Sequence, residues 1–239
     1  IAYREGGEIK ITKPREFIKN MDELPFPARD LFPLKKYKSP PPYGQENPHF
    51  VMITSRGCPF QCTYCCKNVF GDNYRSRSPK NVCDEIAELI FKYDAREILF
   101  TDDDFTLNMK RAEEICDEIL QRRLKFRWAC LTRFDLVTEP LLRKMKKAGC
   151  WMIAYGLESG NQKILDSVKK GFTIEQAISA VKATKSAGIA TFCSFVVGLP
   201  NETAETIRDT YNLIKKVKPD FISGTILIVY PGSRLAKLI

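Results

Sequence analysis

Two hydrophobic rhythms alternate along this chain. Short apolar runs lie near 50–55, 96–101, 126–131, 150–156, 190–197 and 221–229, and runs of that length read as strands buried on both faces. The stretches between them carry apolar residues at helical spacing. Ser78-Pro79 supplies a cap and an N1 proline for a helix whose Val82, Ile86, Leu89, Ile90 and Tyr93 share one face. Asn108 caps a second helix, with Met109, Ala112, Ile115, Cys116, Ile119 and Leu120 in register, and Thr138 caps a third that ends at Gly149. Thr173 with Gln176 forms a capping-box pattern for a helix ending at Gly188, and a last helix spans 204–217. Gly149 and Gly188 each stand just past a helix, where a C′ glycine is expected. Six strands alternating with helices imply βαβ units, a parallel sheet and right-handed crossovers, with ligands at the carboxyl ends of the strands. Periodicity fits an open sheet and a barrel equally.

Residues 1–48 break both rhythms. Pro14, Pro25, Pro27, Pro33, Pro40, Pro41, Pro42 and Pro48 fall there, most of the 14 prolines. That density ends helices and favours extended, semi-rigid chain. Residues 1–11 read as a hairpin turning at Gly6-Gly7. Asp22-Glu23-Leu24-Pro25-Phe26-Pro27-Ala28-Arg29-Asp30 reads as a linker laid along a domain surface. The expected division is a Pro-rich linker over 1–48, arriving from an upstream domain, and a core domain over 49–239. The start at Ile1 and the stop inside a Tyr230-Pro231-Gly232-Ser233 stretch suggest a piece of a larger polypeptide.

At 239 residues and 44% hydrophobic, the chain can build one large core. No apolar run reaches the roughly 18 residues of a membrane span, so none is expected. Free thiols without a secretory signal point to the cytoplasm. The net charge of +9 is spread over helix faces such as Arg143-Lys144-Met145-Lys146-Lys147. Without interleaved aromatic residues it makes no case for nucleic acid.

The chemistry concentrates in Ser55-Arg56-Gly57-Cys58-Pro59-Phe60-Gln61-Cys62-Thr63-Tyr64-Cys65-Cys66. Cys58, Cys62 and Cys65 follow a C-x3-C-x2-C spacing directly after the first strand. A cubane iron–sulfur cluster normally takes four thiolates. Three would hold three irons and leave the fourth open, as a catalytic metal site keeps one position free. A structural zinc site would want a second Cys or His pair. His49 is the single histidine, and Cys83, Cys116, Cys130, Cys150 and Cys193 are scattered through apolar or helical segments as small buried hydrophobes. The odd total of 9 cysteines suggests no disulfide framework. Cys66, adjacent to Cys65, is a bystander.

With an aromatic just before its third cysteine, this motif resembles the radical S-adenosylmethionine (radical SAM) superfamily. The resemblance covers residues 50–239 and implies a partial, six-stranded (β/α)6 TIM-like barrel, with the cluster loop after the first strand. It further implies a 4Fe–4S cluster on Cys58, Cys62 and Cys65 whose open iron chelates S-adenosylmethionine. An electron from the cluster then breaks the S–C5′ bond and yields a 5′-deoxyadenosyl radical. The other cofactor contacts fall at strand ends. Asp103 and Asp104, in Thr101-Asp102-Asp103-Asp104-Phe105-Thr106, stand where many members carry Gly-Gly-Glu and would meet the α-amino group. A loop whose Asp side chains cap local amides is the competing reading. Arg133 suits a bidentate grip on the methionyl carboxylate, or a salt bridge with Asp135. Glu158 and Ser159, in Gly156-Leu157-Glu158-Ser159-Gly160, offer acceptors for ribose hydroxyls or the amino group. Gly198 lies in the turn that the family sets against adenine and ribose, and the Tyr64 backbone would meet adenine.

The 22–30 linker and the Asp-Asp-x-Phe-Thr form resemble the subgroup associated with cobalamin-binding domains. That resemblance implies cobalamin held by a domain outside this chain. It also implies a small-molecule or lipid-like substrate and an electron donor such as flavodoxin or ferredoxin. The leading expectation is a radical SAM core for methyl transfer or a related radical modification. A methylthiotransferase acting on tRNA or protein is the alternative, weakened by the lack of cysteine in 1–48. A non-catalytic Fe–S or zinc-binding module is the alternative of another class, and binding of S-adenosylmethionine separates it from the enzymes. One histidine with no nearby nucleophile pattern supports no triad.

Overall fold

A computed structural model describes residues 1–39 and 41–238. Pro40 of the expected linker and Ile239 of the expected core lie outside the described residues. The Gly6-Gly7 turn closes the hairpin: β1 (Ala2–Glu5) pairs antiparallel with β2 (Glu8–Ile11), with both glycines at positive φ. The first core strand is shorter than its apolar run. β3 (His49–Met52) enters the main sheet, whereas β4 (Ser55–Arg56) leaves it to pair antiparallel with β5 (Arg75–Ser76). That ribbon closes the base of the cysteine loop.

The alternation then proceeds through α1 (Pro79–Tyr93), β6 (Glu97–Phe100), α2 (Met109–Gln121), β7 (Arg127–Thr132), α3 (Glu139–Lys147) and β8 (Cys150–Glu158). A short α4 (Gln162–Ser167), which periodicity does not announce, precedes α5 (Ile174–Ser186), β9 (Ala190–Val197), α6 (Ala204–Val217) and β10 (Phe221–Ile226). β10 stops short of the expected 229. Ser78, Asn108, Thr138, Thr173 and Thr203 each accept a first-turn N–H, and such caps contribute about 1 kcal/mol apiece.

The strands lie in chain order, β3-β6-β7-β8-β9-β10, every pair parallel. Sequential order with crossovers of one hand puts the helices on one face of the sheet. That outer face buries Ile98, Phe100, Trp128, Cys130, Ile153, Tyr155 and Cys193 against them. The inner face carries Leu99, Ala129 and Met152, with Leu131 and Phe192 beside them. β3 and β10 do not pair with each other, so the expected six-stranded parallel barrel is a partial one. Among the described residues no helix is long and apolar enough to cross a membrane.

The linker belongs to this packing. Met21 is buried, and the Asp22 carboxylate accepts the Ser78 N–H at 2.8 Å. Arg29 pairs with Glu85, which also pairs with Arg77, all three buried. Further on, the chain crosses the amino-terminal end of the barrel. Gly44 and Glu46 N–H donate to Glu97 at 3.1 and 3.0 Å, and the Trp151 indole N–H donates at 3.1 Å. Glu97 is fully buried, and a buried carboxylate needs such donors. The Tyr43 ring packs on Phe192 with centroids 5.7 Å apart. Residues 43–46 therefore form the barrel floor rather than free linker.

Candidate functional site

A cavity of about 390 Å³ sits at the carboxyl ends of the central strands. Cys58, Cys62 and Cys65 line it together with Tyr64, Asp103, Asp104, Arg133 and Glu158. Eight residues singled out from sequence thus converge. Ser159 and Gly198 do not. Ser159 is fully buried, with its hydroxyl 3.4 Å from Thr210 Oγ1 and accepting the Asn161 N–H at 3.2 Å. Gly198 is exposed, with its N–H on Glu202. Cys66 turns away and donates to the Pro231 carbonyl at 3.4 Å.

The three aspartates after β6 divide the work of holding the loop. Asp102, 1% exposed, accepts from Thr54 N–H, Thr54 Oγ1 and Ser55 N–H. Asp103 accepts the Gly57 N–H at 3.1 Å. Asp104 lies 3.4 Å from the Cys58 sulfur. Gly57, at φ +89°, has no room for a Cβ, which would stand 2.2 Å from the Asn73 carbonyl oxygen. From the far side, Thr63 N–H donates to Val168 O at 3.0 Å, and Leu235 N–H donates to Thr63 O at 2.8 Å. The Lys67 ammonium spans the loop, donating to the carbonyls of Cys58, at 2.8 Å, and Phe60.

The opposite wall carries the cations. Arg133 forks onto Asp135, Nε and Nη2 each at 2.9 Å, and its guanidinium lies 3.6 Å from the Phe60 ring centroid. The salt-bridge reading of Arg133 thus holds, with the Arg133 side chain buried at 5% exposed and that of Asp135 half-buried at 19%. Lys170, which no sequence pattern singles out, puts its ammonium 2.8 Å from Glu158 Oε1 and 3.4 Å from the Tyr64 hydroxyl. Glu158 sits at φ +62° beside a register shift in β8, a conformation that costs a non-glycine residue roughly 1–3 kcal/mol and is often found at working sites. Gly156 makes room for the pair: a Cβ there would lie 2.4 Å from Glu158 Oε1.

Burial pushes the Cys58 thiol up to about 12, with the Asp104 charge adding to it, and raises Asp104 itself to about 6. Burial and the Glu158 charge push the Tyr64 hydroxyl up as well. Three carboxylates (Asp103, Asp104, Glu158) and three thiols thus face two cations, Arg133 and Lys170. Thiolates form in such a place only with added positive charge, which metal binding brings. Among the described residues no three His, Cys or acidic side chains are grouped to hold one metal ion. A cubane makes a different demand, because each thiolate takes its own iron. The donor set therefore fits an iron–sulfur cluster on three cysteines.

A parallel partial barrel with three thiols on the loop after its first strand is an α/β-barrel-type fold with a candidate iron–sulfur site at the carboxyl ends of its strands. The sequence profile of the radical SAM superfamily matches residues 52–214, and the chain belongs to that superfamily. The family implies a 4Fe–4S cluster and S-adenosylmethionine. The chain is 39% identical over 237 residues to an uncharacterized methyltransferase of Pyrococcus horikoshii, covering 98% of this chain and 50% of that protein. It is 38% identical over 183 residues to the anaerobic magnesium-protoporphyrin IX monomethyl ester cyclase of Rubrivivax gelatinosus, covering 76% and 33%. Among solved structures, the cobalamin-dependent S-adenosylmethionine radical enzyme OxsB, with aqua-cobalamin and S-adenosylmethionine bound, superposes with a TM-score of 0.81. That match is 20% identical and covers 99% of this chain and 40% of OxsB. The chain thus spans half or less of the length of these relatives.

Proposed function

We propose that this chain is the radical-generating core of an enzyme for methyl transfer or a related radical modification, working with cobalamin held outside residues 1–239. The observation that carries the reading is the meeting of Cys58, Cys62 and Cys65 with strand-end carboxylates and cations in one cavity. When bound, the cluster and S-adenosylmethionine supply one-electron cleavage of a carbon–sulfur bond. The residues of the chain hold and orient. Cys58, Cys62 and Cys65 ligate the cluster. Asp103, Asp104 and Glu158 are the acceptors for the amino group and ribose of S-adenosylmethionine. Lys170 and the Arg133 N–H groups not engaged by Asp135 are the cations for its carboxylate. Tyr64 and Phe60 exclude water from one side, and Leu131 and Phe192 from the other. Ser159 and Gly198 stand outside the cavity lining and take no role in holding the cofactor.

Relatives that are a methyltransferase and a cyclase favour methyl transfer or a related modification over methylthiolation. The cobalamin-dependent OxsB supports cobalamin as the further cofactor. The same reading takes a small-molecule or lipid-like substrate and a flavodoxin- or ferredoxin-type electron donor. It places the protein in the cytoplasm, with 1–48 linking a cobalamin-binding domain to the core.

The test is anaerobic reconstitution with iron and sulfide, followed by EPR of the reduced protein with and without S-adenosylmethionine. A cluster signal that shifts with the ligand and is lost in Cys62→Ala, but not in Cys66→Ala, is expected. A signal indifferent to the ligand, or zinc in place of iron, would overturn the reading.

A further inference from the structure

A second cavity system lies away from the cysteine loop, where the linker passes the outer edge of the sheet. One cleft of about 530 Å³ runs between Arg29, Leu34 and Lys38 of the linker and His49 and Phe50 of β3. Another, of about 630 Å³, shares Leu34, Lys38, His49 and Phe50 with it and continues to Lys92 and Tyr93 at the end of α1. β3 pairs with β6 alone, which leaves its other edge without a partner strand among the described residues. Neither cleft shares a lining residue with the cysteine cavity.

Six buried side-chain polar atoms lack a hydrogen-bond partner among the described residues, and three of them belong to this groove: Arg29 Nη1, His49 Nε2 and Tyr93 Oη. Buried polar atoms are nearly always paired, so three orphans along one groove call for a partner; Arg29 Nη1 can only donate, and His49 Nε2 and Tyr93 Oη can each donate to the same acceptor. Charge points the same way. Arg29 and Arg77 share the one carboxylate of Glu85, and the three side chains are 9%, 9% and 2% exposed. One positive charge is therefore left over in a poorly solvated place, where an uncompensated charge is costly. Lys38 and Lys92 add cations along the groove. Asp94, the one carboxylate lining either cleft, is already paired with Arg96 at 2.9 Å.

We propose that this groove is a binding site for a small organic anion, a phosphate or carboxylate group on an apolar or aromatic body. The anionic group accepts from Arg29 and His49 with Lys38 alongside, and the body packs on Leu34 and Phe50. This site is independent of the cluster cavity, and its test does not depend on radical chemistry.

Isothermal titration of the intact polypeptide with phenyl phosphate, benzoate, inorganic phosphate and phenol tests it. Phenyl phosphate or benzoate is expected to bind one site at least tenfold tighter than inorganic phosphate or phenol, and which of the two binds distinguishes phosphate from carboxylate. Saturating S-adenosylmethionine should leave that affinity unchanged. His49→Gln and Lys38→Ala should each weaken it about tenfold, the loss of one charge-assisted hydrogen bond or contact. These two variants leave the Arg29–Glu85 pair intact, so a folding defect does not confound the result. The proposal is overturned if neither aromatic anion binds, if both variants bind like the wild type, or if S-adenosylmethionine displaces the probe.

Discussion

Replacing Asp102 by alanine removes the acceptor from which the root of the cysteine loop hangs. Its carboxylate takes Thr54 N–H and Thr54 Oγ1 at 2.5 Å each and Ser55 N–H at 2.8 Å, and Thr54, Ser55 and Asp102 are all buried. Each buried donor left unmet costs about 1–3 kcal/mol. The Thr54 hydroxyl can rotate, but the two amides cannot, so they set the loss at about 2–6 kcal/mol. Arg111, buried and bonded to the Thr54 carbonyl at 2.9 Å, also loses its nearby anion. Asp102→Asn is the informative control. Its remaining oxygen serves both amides, and its NH2 meets Thr54 Oγ1 as an acceptor, so it should cost about 1 kcal/mol. Urea unfolding of the metal-free protein measures both as midpoint shifts at constant slope. Iron bound per chain after reconstitution should fall in the alanine variant and persist in the asparagine one. An alanine variant within about 1 kcal/mol of the wild type, or one no worse than asparagine, would refute the account of Asp102 as the anchor of the loop.

Three further outcomes are expected. Lys170→Met leaves Glu158 buried without its cation, which should destabilise by about 3–5 kcal/mol and weaken S-adenosylmethionine binding more than tenfold by calorimetry, with partial rescue in Lys170→Arg; native affinity in the methionine variant would remove Lys170 from the site. Gly156→Ala drives a Cβ to 2.4 Å from Glu158 Oε1 and 3.0 Å from Lys170 Nζ, so cofactor affinity should fall while unfolding shifts by only about 1–3 kcal/mol; unaltered binding would show that the pair yields without consequence. Glu85→Gln strips two buried guanidiniums of their shared charge, and should cost about 3–5 kcal/mol and speed proteolysis within residues 21–36, whereas digestion at the wild-type rate would mean that the linker is held otherwise.

The alternation of strands and helices is legible because each element carries its own local mark. Ser78, Asn108, Thr138 and Thr173 are caps in the sequence and caps in the fold. The cysteine spacing is legible for the same reason, since its ligands are close in the chain. Lys170, Asp102 and the Tyr43 floor are not legible, because each matters through a partner far along the chain: Glu158 and Tyr64, Thr54 and Ser55, Phe192. Nothing local separates Lys170 from its neighbour Lys169, yet the first is 7% exposed and the second lies on the surface. Glu158 and Ser159 show the converse error. Consecutive side chains at a strand end point to opposite sides, so one faces the cavity and the other packs on Thr210. Assigning both to one ligand ignores that alternation. The apolar run 50–55 reads as one strand, but Asp102 captures its carboxyl end and directs Ser55 and Arg56 into the small ribbon.

Short spacing brings three thiols onto one loop, but it does not aim them. A loop from Gly57 to Cys66 with few internal hydrogen bonds would sample many arrangements, at a conformational cost of about 1–2 kcal/mol per residue when fixed. Here the fixing comes from elsewhere in the chain. Asp102, Asp103 and Asp104 hold its start, Lys67 its middle, Val168 and Leu235 the Thr63 peptide, and Pro231 the Cys66 thiol. Gly232 comes so close to Asn68 that a Cβ would stand 2.2 Å from its amide nitrogen. These restraints span the sheet from β6 to the segment beyond β10. The cavity therefore exists only once the whole barrel has formed, and the thiols reach their places with most of the ordering cost already met by folding. A site arranged in this way would offer the cluster that the family implies a largely prearranged loop. Damage at Asp102, Glu158 or Lys170 should accordingly lower cofactor affinity together with stability, with the cysteines themselves untouched.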